Sequence, residues 1–378
     1  MARFDRYMLS QLMVLFGFFA LVLVSIYWIN QAVRLFDRLV GDGQSAWVFL
    51  EFTALTLPNV IRLVLPIAAF AAAVYVTNRL SSESELTVVQ ATGYSPWRLA
   101  RPVLVFGIIV GLMMAVLTHF LVPASKYQLQ LREAEIAQNI TSKLLTEGTF
   151  LHPSKGVTFY IREITAEGAL EDVFLSDRRN PDRALTYTAD QAYLVRDEGG
   201  TKMVMVNGLV QSYDHTSARL FTTHFADFSY DLGRLIKANS INFSAPALQS
   251  TLRLATEIEQ VSDLSGWPIA RILEELHGRF NQPLLCIAAA LIGFATLLTG
   301  TYSRFGVWRQ IVAALTLLIM IKFVEGMATD PVRANADLWW MIYLPSAFGL
   351  SVSAALLAWA GRNRRRPRRT YIDSEGAT

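Results

Sequence analysis

Four stretches of this chain carry no charged side chain for 24 residues or more: 7–33, 102–125, 280–303 and 338–361. A helix needs about 20 apolar residues to cross the hydrocarbon of a bilayer. Backbone polar groups find no water there, so such a stretch must bond its own amides and carbonyls, as a helix does. Composition agrees. Of 378 residues, 53% are hydrophobic and only 17% are charged, where about 25% charged is usual for a soluble domain. Mean hydropathy is +0.33. The chain is expected to be an integral membrane protein, and a soluble enzyme is excluded.

Six spans are expected, at about 12–33, 57–78, 102–122, 283–301, 307–324 and 338–360. The second carries Arg62 near its start and Pro66 inside it, and the fifth carries Lys322 near its end. The first run is too long for a signal peptide, and no small-residue cleavage site follows Trp28-Ile29-Asn30, so it is expected to be retained.

Arginines in the short loops set the orientation. With both termini cytoplasmic, the inner segments hold 13 arginines and the outer short loops hold 3, Arg34, Arg38 and Arg333. The long segment 123–282, with 20 of the 31 acidic residues, then lies outside. It opens as a helix, "SKYQLQLREAEIAQNITSKLL". Strands with period-2 alternation follow: "GVTFYIREI", "ALEDVFLSD", "LTYTADQAYLVRD", "TKMVMVNGLVQSYD" and "RLFTTHFADFSYDL". Short strands with close turns point to a β-sandwich or jelly roll. Helical patterning returns after Pro246. The expected fold class is membrane α + β, three spans and three spans, with an outer β domain, a sandwich or a β-jellyroll, inserted between the third and fourth. The domain boundaries fall at 1–122, 123–282 and 283–361, with a basic tail at 362–378.

Enzyme signals are weak. There is no G-x-x-x-x-G-K-[ST] loop and no H-E-x-x-H, and the five histidines are scattered. "GYSPW" at 93–97 resembles the start of an intramembrane serine hydrolase motif, but Ser95 has no histidine partner at its depth. The single cysteine, Cys286, excludes a disulfide within the chain and a cysteine-based metal site. No cofactor is expected on this chain, and no nucleic acid.

The loop between the second and third spans is the most informative. Ser82 and Glu85 have the spacing of a capping box, and Gly93 suits a left-handed stop, giving a helix over about 83–92. Leu86, Val89 and Gln90 share one face of it. Ser95-Pro96 starts the next helix. A short helix at the membrane face can seat in a groove of a cytosolic partner, or it can simply close a hairpin, and spacing does not separate the two.

These residues carry a resemblance. "ESELTVVQATGYSP" at 83–96 resembles the coupling-helix signature of the LptF/LptG family of lipopolysaccharide-export permeases. "LPNVIRLVLPIAAFAAAV" at 57–74, "ELHGRFNQPLLCIAAALIGF" at 275–294 and "RFDRYMLSQL" at 3–12 resemble that family's second span, the start of its fourth and its N-terminus. The first two spans are more similar to LptF than to LptG. The resemblance implies a Gram-negative inner-membrane subunit paired with its paralogue. It implies an LptB ATPase dimer that uses ATP and Mg, and a β domain in the periplasm that hands lipopolysaccharide to LptC and LptA. The family's coupling-helix glutamate falls on Glu85, and the ATPase-coupling set is expected to be Glu83, Glu85, Leu86, Val89 and Gly93.

Arg34, Arg62 and Lys322 are expected near one outer-leaflet depth. Ionisable residues there mark a pathway, and the phosphates of lipid A would suit them. Snorkelling to the interface, or neutralisation of Lys322 by Glu325, is the alternative. In the β domain, Phe159, Ile161, Val204 and Val206 are candidates for a lipid path along an inward face. Two rival readings are a periplasm-facing scaffold or sensor and a different ABC permease. Neither calls for a capped helix joined to this domain order.

Overall fold

The computed structural model describes residues 3–41, 46–143, 147–154, 156–165, 168–197, 200–215, 217–231, 244–300 and 307–365. In chain order the first helices are α1 (Arg3–Gly41), α2 (Ala46–Ser82), α3 (Glu85–Ala91) and α4 (Pro96–Val116). A π-turn, Leu117–Leu121, leads into α5 (Val122–Lys143). Seven strands follow: β1 (Phe150–Ser154), β2 (Val157–Tyr160), β3 (Glu163–Ile164), β4 (Leu170–Asn180), β5 (Arg183–Asp197), β6 (Gly200–Asp214) and β7 (Arg219–Asp231). Helices resume with α6 (Thr251–Thr256), α7 (Ile258–Ser265), α8 (Ile269–Leu298) and α9 (Trp308–Ala334). A 3₁₀ stretch, Ala336–Tyr343, then precedes α10 (Leu344–Arg365). Among the described residues six helical segments are long and apolar enough to cross a membrane, and the β-sheet lies between the third and fourth of them, as the expected six spans and strand patterning predict.

The chain forms two units, Met1–Leu129 with Phe243–Thr378, and Gln130–Asn242. In the helical unit α8 is the central element. Of the residues in its apolar window 78% are buried, against 11% in α1 and 17% in α9. Small residues let the backbones approach, which is how apolar helices gain packing where no hydrophobic effect separates them from lipid. A side chain at Gly107 or Gly111 of α4 would come within 3.1 Å of Ile287 Cα or of the Pro283 carbonyl on α8. Gly293 of α8 stands equally close, 3.1 Å, to the Phe70 carbonyl of α2. Ala68, Ala69, Ala72 and Ala73 line the buried side of α2, and Phe106, Phe294 and Met114 fill the remaining space.

The β unit is one antiparallel sheet in the order β1-β2-β4-β5-β6-β7, with β3 beside β4. The five strand segments anticipated from alternation are all present. One face carries an apolar cluster that includes Phe159, Ile161, Leu175, Tyr187, Met203 and Met205, with Phe228 and Tyr230 of β7 packed on it. The sheet coils around this face. The Tyr230 hydroxyl reaches Asp177 Oδ2 of β4 at 3.2 Å. In a flat sheet β4 and β7 would stand three strand spacings, about 14 Å, apart, and Tyr230 lies well along β7 from the residue aligned with Asp177. Only a sheet rolled along its diagonal brings these corners together.

Alternation slips by one residue along a line through Asp172, Asp190 and Asn207. On either side of that line the register is regular, Glu171 with Gln191 with Val206, and Val173 with Ala189 with Gly208. Asp172 and Asn207 adopt φ of 48° and 56°. Aligned irregularities of this kind bend strands and sharpen their twist, which lets a single sheet close on itself.

The β unit is 130–242, and of the flanking helices expected within 123–282, those after it cluster with the helical unit. The reason is Arg279 of α8, only 3% exposed. Its guanidinium donates to the carbonyls of Pro246 (3.1 Å) and Gln249 (2.9 Å) and to Thr251 Oγ1 (3.0 Å), and so ties 246–251 to α8.

Candidate functional site

Three regions of the fold hold the candidate residues. The first is α3. Val88 N donates to Ser84 O at 3.0 Å to open the helix, and Gly93, at φ 89°, ends it. The expected Ser82–Glu85 capping box does not form. α2 runs through Ser82, and the chain turns at Ser84, a left-handed residue at φ 61° whose side chain makes no capping bond. Ser95 behaves as expected, its Oγ accepting from Arg98 N at 3.3 Å with Pro96 in the first position of α4.

The faces of α3 also need correction. Leu86 is 4% exposed within the helical core, and Val89 packs against the same cluster. Both fasten the helix to the membrane unit, Leu86 buried outright and Val89 half-buried. The exposed side holds Val88, 62% exposed. Glu83 is held by Arg79, whose Nε lies 2.9 Å from Glu83 Oε1. Glu85 Oε1 stands 3.5 Å from the hydroxyl of Tyr7 on α1. Trp97 is likewise exposed, and the Arg98 guanidinium lies 4.0 Å over the Tyr94 ring. These aromatic residues were legible in "GYSPWR" only as neighbours of a helix start.

The second region is a polar recess of about 160 Å³ between α2, α8, α9 and the start of α10. Arg62 lines it together with Glu275, Arg279, Asn281 and Glu325. Arg62 makes no hydrogen bond or ion pair among the described residues. It lies within electrostatic reach of Lys126 and Arg279, and the lining carboxylate of Glu275 lies 3.0 Å from Arg279 Nε. Asn281 is 3% exposed, and its side-chain oxygen has no donor among the described residues. Lys322 does not join this group as a free cation. Its Nζ lies 2.7 Å from Glu325 Oε2, so the neutralised alternative holds. Arg34 belongs to α1, but its side chain lies outside the described residues. Sequence reasoning missed Lys126 and Arg279. Both abut a charge-free window, Lys126 just after 102–125 and Arg279 just before 280–303, and that adjacency was the available signal.

The π-turn joins the same network. Thr118 Oγ1 donates to the Arg279 carbonyl at 3.2 Å, and His119 Nδ1 lies 3.0 Å from Thr251 Oγ1. Such turns widen a helix by one residue and are frequent at functional sites.

The third region is the inner face of the β unit. Phe159 and Ile161 point inward, 3% and 0% exposed. Val204 and Val206 do not. Met203 and Met205 are the fully buried residues of β6, so strand alternation turns the two valines to the opposite face. One edge of this face is polar. Arg179 Nε donates to Asp177 Oδ1 at 2.9 Å, and this bond holds the Asp177 carboxyl below the ordinary carboxylate range. Burial, then the Asp177 charge, raises the Tyr230 phenol above its usual value.

Comparison with known proteins follows from this architecture. Residues 6–359 match the family described as lipopolysaccharide export system permease LptF/LptG. An uncharacterized protein of Rickettsia prowazekii is 21% identical over 94% of this chain and 99% of its own length. The lipopolysaccharide export system permease protein LptF of Escherichia coli K12 is 26% identical over 52% of this chain and 53% of its own length. The permease protein LptG of Haemophilus influenzae is 26% identical over 45% and 48%. The chain thus aligns with about half the length of the named permeases.

Proposed function

The chain belongs to the LptF/LptG family of lipopolysaccharide export permeases, and on that premise we propose that it is a transmembrane subunit that extracts lipopolysaccharide from the outer leaflet of the bacterial inner membrane. The lipid then passes along the inner face of the β unit toward the outer membrane. Both termini lie in the cytoplasm and the β unit in the periplasm, in keeping with the 13 to 3 arginine bias. The family match across residues 6–359, which takes in both helical halves and the β insertion, is the observation that carries this reading.

The roles divide by region. The chain does not hydrolyse ATP; an LptB-type ATPase does, and it docks on the exposed side of α3 through Val88 with Glu83 and Glu85 beside it. Leu86 and Val89 hold that helix in place. A paralogous permease covers α1 and α9, whose apolar sides are the least covered in the helical unit. Of the carboxylates lining the recess, Glu274, Glu275 and Glu325 are engaged by Arg333, Arg279 and Lys322, and a lipid A phosphate entering it pairs with Arg62, which makes no ion pair among the described residues. LptC and LptA receive the lipid beyond the β unit.

The test is purification from native membranes. An ATPase should co-purify with the chain, and its hydrolysis should respond to added lipopolysaccharide. A chain that purifies with periplasmic proteins and no ATPase would instead be a scaffold.

A further inference from the structure

The outer face of the coiled sheet carries a feature that the export reading leaves unused. Tyr160, Phe174, Thr188, Leu209 and His224 stand in register across five strands, each paired with the next. They all point away from the apolar cluster, because their strand neighbours form it. Where this row runs beside the slipped line through Asp172 and Asp190, the sheet opens into a groove of about 590 Å³. That size falls within the range usual for small-molecule sites.

The groove has two kinds of wall. Along one side lie aromatic rings. The Tyr160 ring lies 4.7 Å from that of Phe150, which is 62% exposed, and Phe174 meets Phe150 edge-on at 6.4 Å. The lining also holds planar polar groups. Arg162 Nη1 is fixed by Asp172 Oδ2 at 2.8 Å, so its guanidinium is already oriented. The Asp190 and His224 side chains are exposed and make no hydrogen bond or ion pair among the described residues. Two of the four non-glycine residues with positive φ among the described residues, Asp172 and Asn207, line this groove. Backbone held in such a conformation gathers at ligand-binding positions.

A sugar ring fits this pairing. Its C–H face packs on an aromatic ring, and its vicinal hydroxyls both donate and accept, matching a carboxylate on one side and a guanidinium or imidazole on the other. The free Asp190 carboxylate sets the charge. With Arg162 spent on Asp172, the groove repels phosphate and acidic sugars.

We infer that this outer groove binds neutral sugar residues of the lipopolysaccharide while its acyl chains follow the inner face; that the sugar is carried by lipopolysaccharide rests on the export reading. The groove then steadies the polar end of a molecule whose apolar end is held on the opposite side of the same sheet.

The test uses the full chain in lipid nanodiscs, free of sugar-headed detergent. The probe is the neutral hexose oligosaccharide released from lipopolysaccharide, followed by titration calorimetry. Saturable binding is expected. Asp190→Ala and His224→Ala should each weaken it about tenfold, the value of one hydrogen bond to a charged or polar partner. Both sites are exposed and unpaired, so the variants should unfold at the same temperature as the parent chain. The absence of saturable binding overturns the inference, as does binding unchanged in the double variant. So does tighter binding of the deacylated, phosphorylated glucosamine disaccharide than of the neutral probe. Photocrosslinking of intact lipopolysaccharide from position 159, in nanodiscs that also hold the co-purified ATPase and are supplied with ATP, separates the two readings. If that crosslink persists while the groove binds no sugar, the export reading stands and this inference falls. If the groove binds sugar and the crosslink fails, the export reading falls and the groove stands.

Discussion

Asp177 and Arg62 show how differently charge is used in the two units. Asp177 accepts from Arg179 and from Tyr230, and its carboxyl titrates below the ordinary range. A group whose folded pKa is depressed adds stability that is present above its unfolded pKa, about 3.9, and lost as pH falls through the folded value. Asp177→Asn should therefore lower protection of β4 and β7 against hydrogen exchange at pH 6 by on the order of 1–2 kcal/mol. The difference from the parent chain should shrink toward zero as pH drops below about 4. A difference that stays constant with pH would mean that packing, not charge, joins these strands. Arg62 has no such partner. Arg62→Glu should reduce lipopolysaccharide photocrosslinking at the recess about tenfold or more, while Lys322→Gln, whose charge Glu325 already neutralises, should change it less than twofold. Equal effects of the two would remove the recess from the lipid path.

Among the elements, α3 separates anchoring from docking within seven residues. Leu86 is buried in the helical core and Val88 is exposed. Leu86→Asp places an unpaired carboxylate among apolar side chains and should cost about 3 kcal/mol or more of stability, read as a lower unfolding temperature of the solubilised chain. Val88→Asp should leave that temperature within about 2 °C, since exposed substitutions stay within about 0.5 kcal/mol, and should abolish ATPase co-purification. If both variants lose the ATPase with stability intact, the buried side of α3 is not buried in the assembly. The contact of α4 with α8 depends on the same economy of space, because Gly107 and Gly111 leave no room for a side chain beside Ile287 and Pro283.

For the whole molecule, coiling of the sheet decides which residues line the lipid path proposed above. Crosslinkers at Phe159 and Met203, on the inner face, should capture lipopolysaccharide only during ATP turnover, and those at Val204 and Val206 should stay silent. Capture from the valines with silence from the inner positions would place the lipid on the outside of the coil. Acyl chains left in water cost about 0.8 kcal/mol per methylene, so a path that exposes them is disfavoured at every step.

The sequence by itself determined the class of this protein. Long uncharged windows admit helices and little else in a bilayer, arginine bias proposes their direction, and strict alternation marks strands, because each of these is a local rule. It also carried the family, since "ESELTVVQATGYSP" and the start of the fourth span are contiguous. What tertiary structure decided is whatever depends on residues far apart meeting. The capping box at Ser82 failed because α2 ran on through it, a length set by packing rather than by the cap. Val204 and Val206 were assigned to the wrong face because both faces of β6 are apolar, and only the coil of the sheet selects the methionine side. Arg279 and Lys126 gained their significance from Arg62, more than 60 residues from Lys126 in the chain. Spacing along a chain fixes a period and a face, but which charge ends beside which is set by how helices pack.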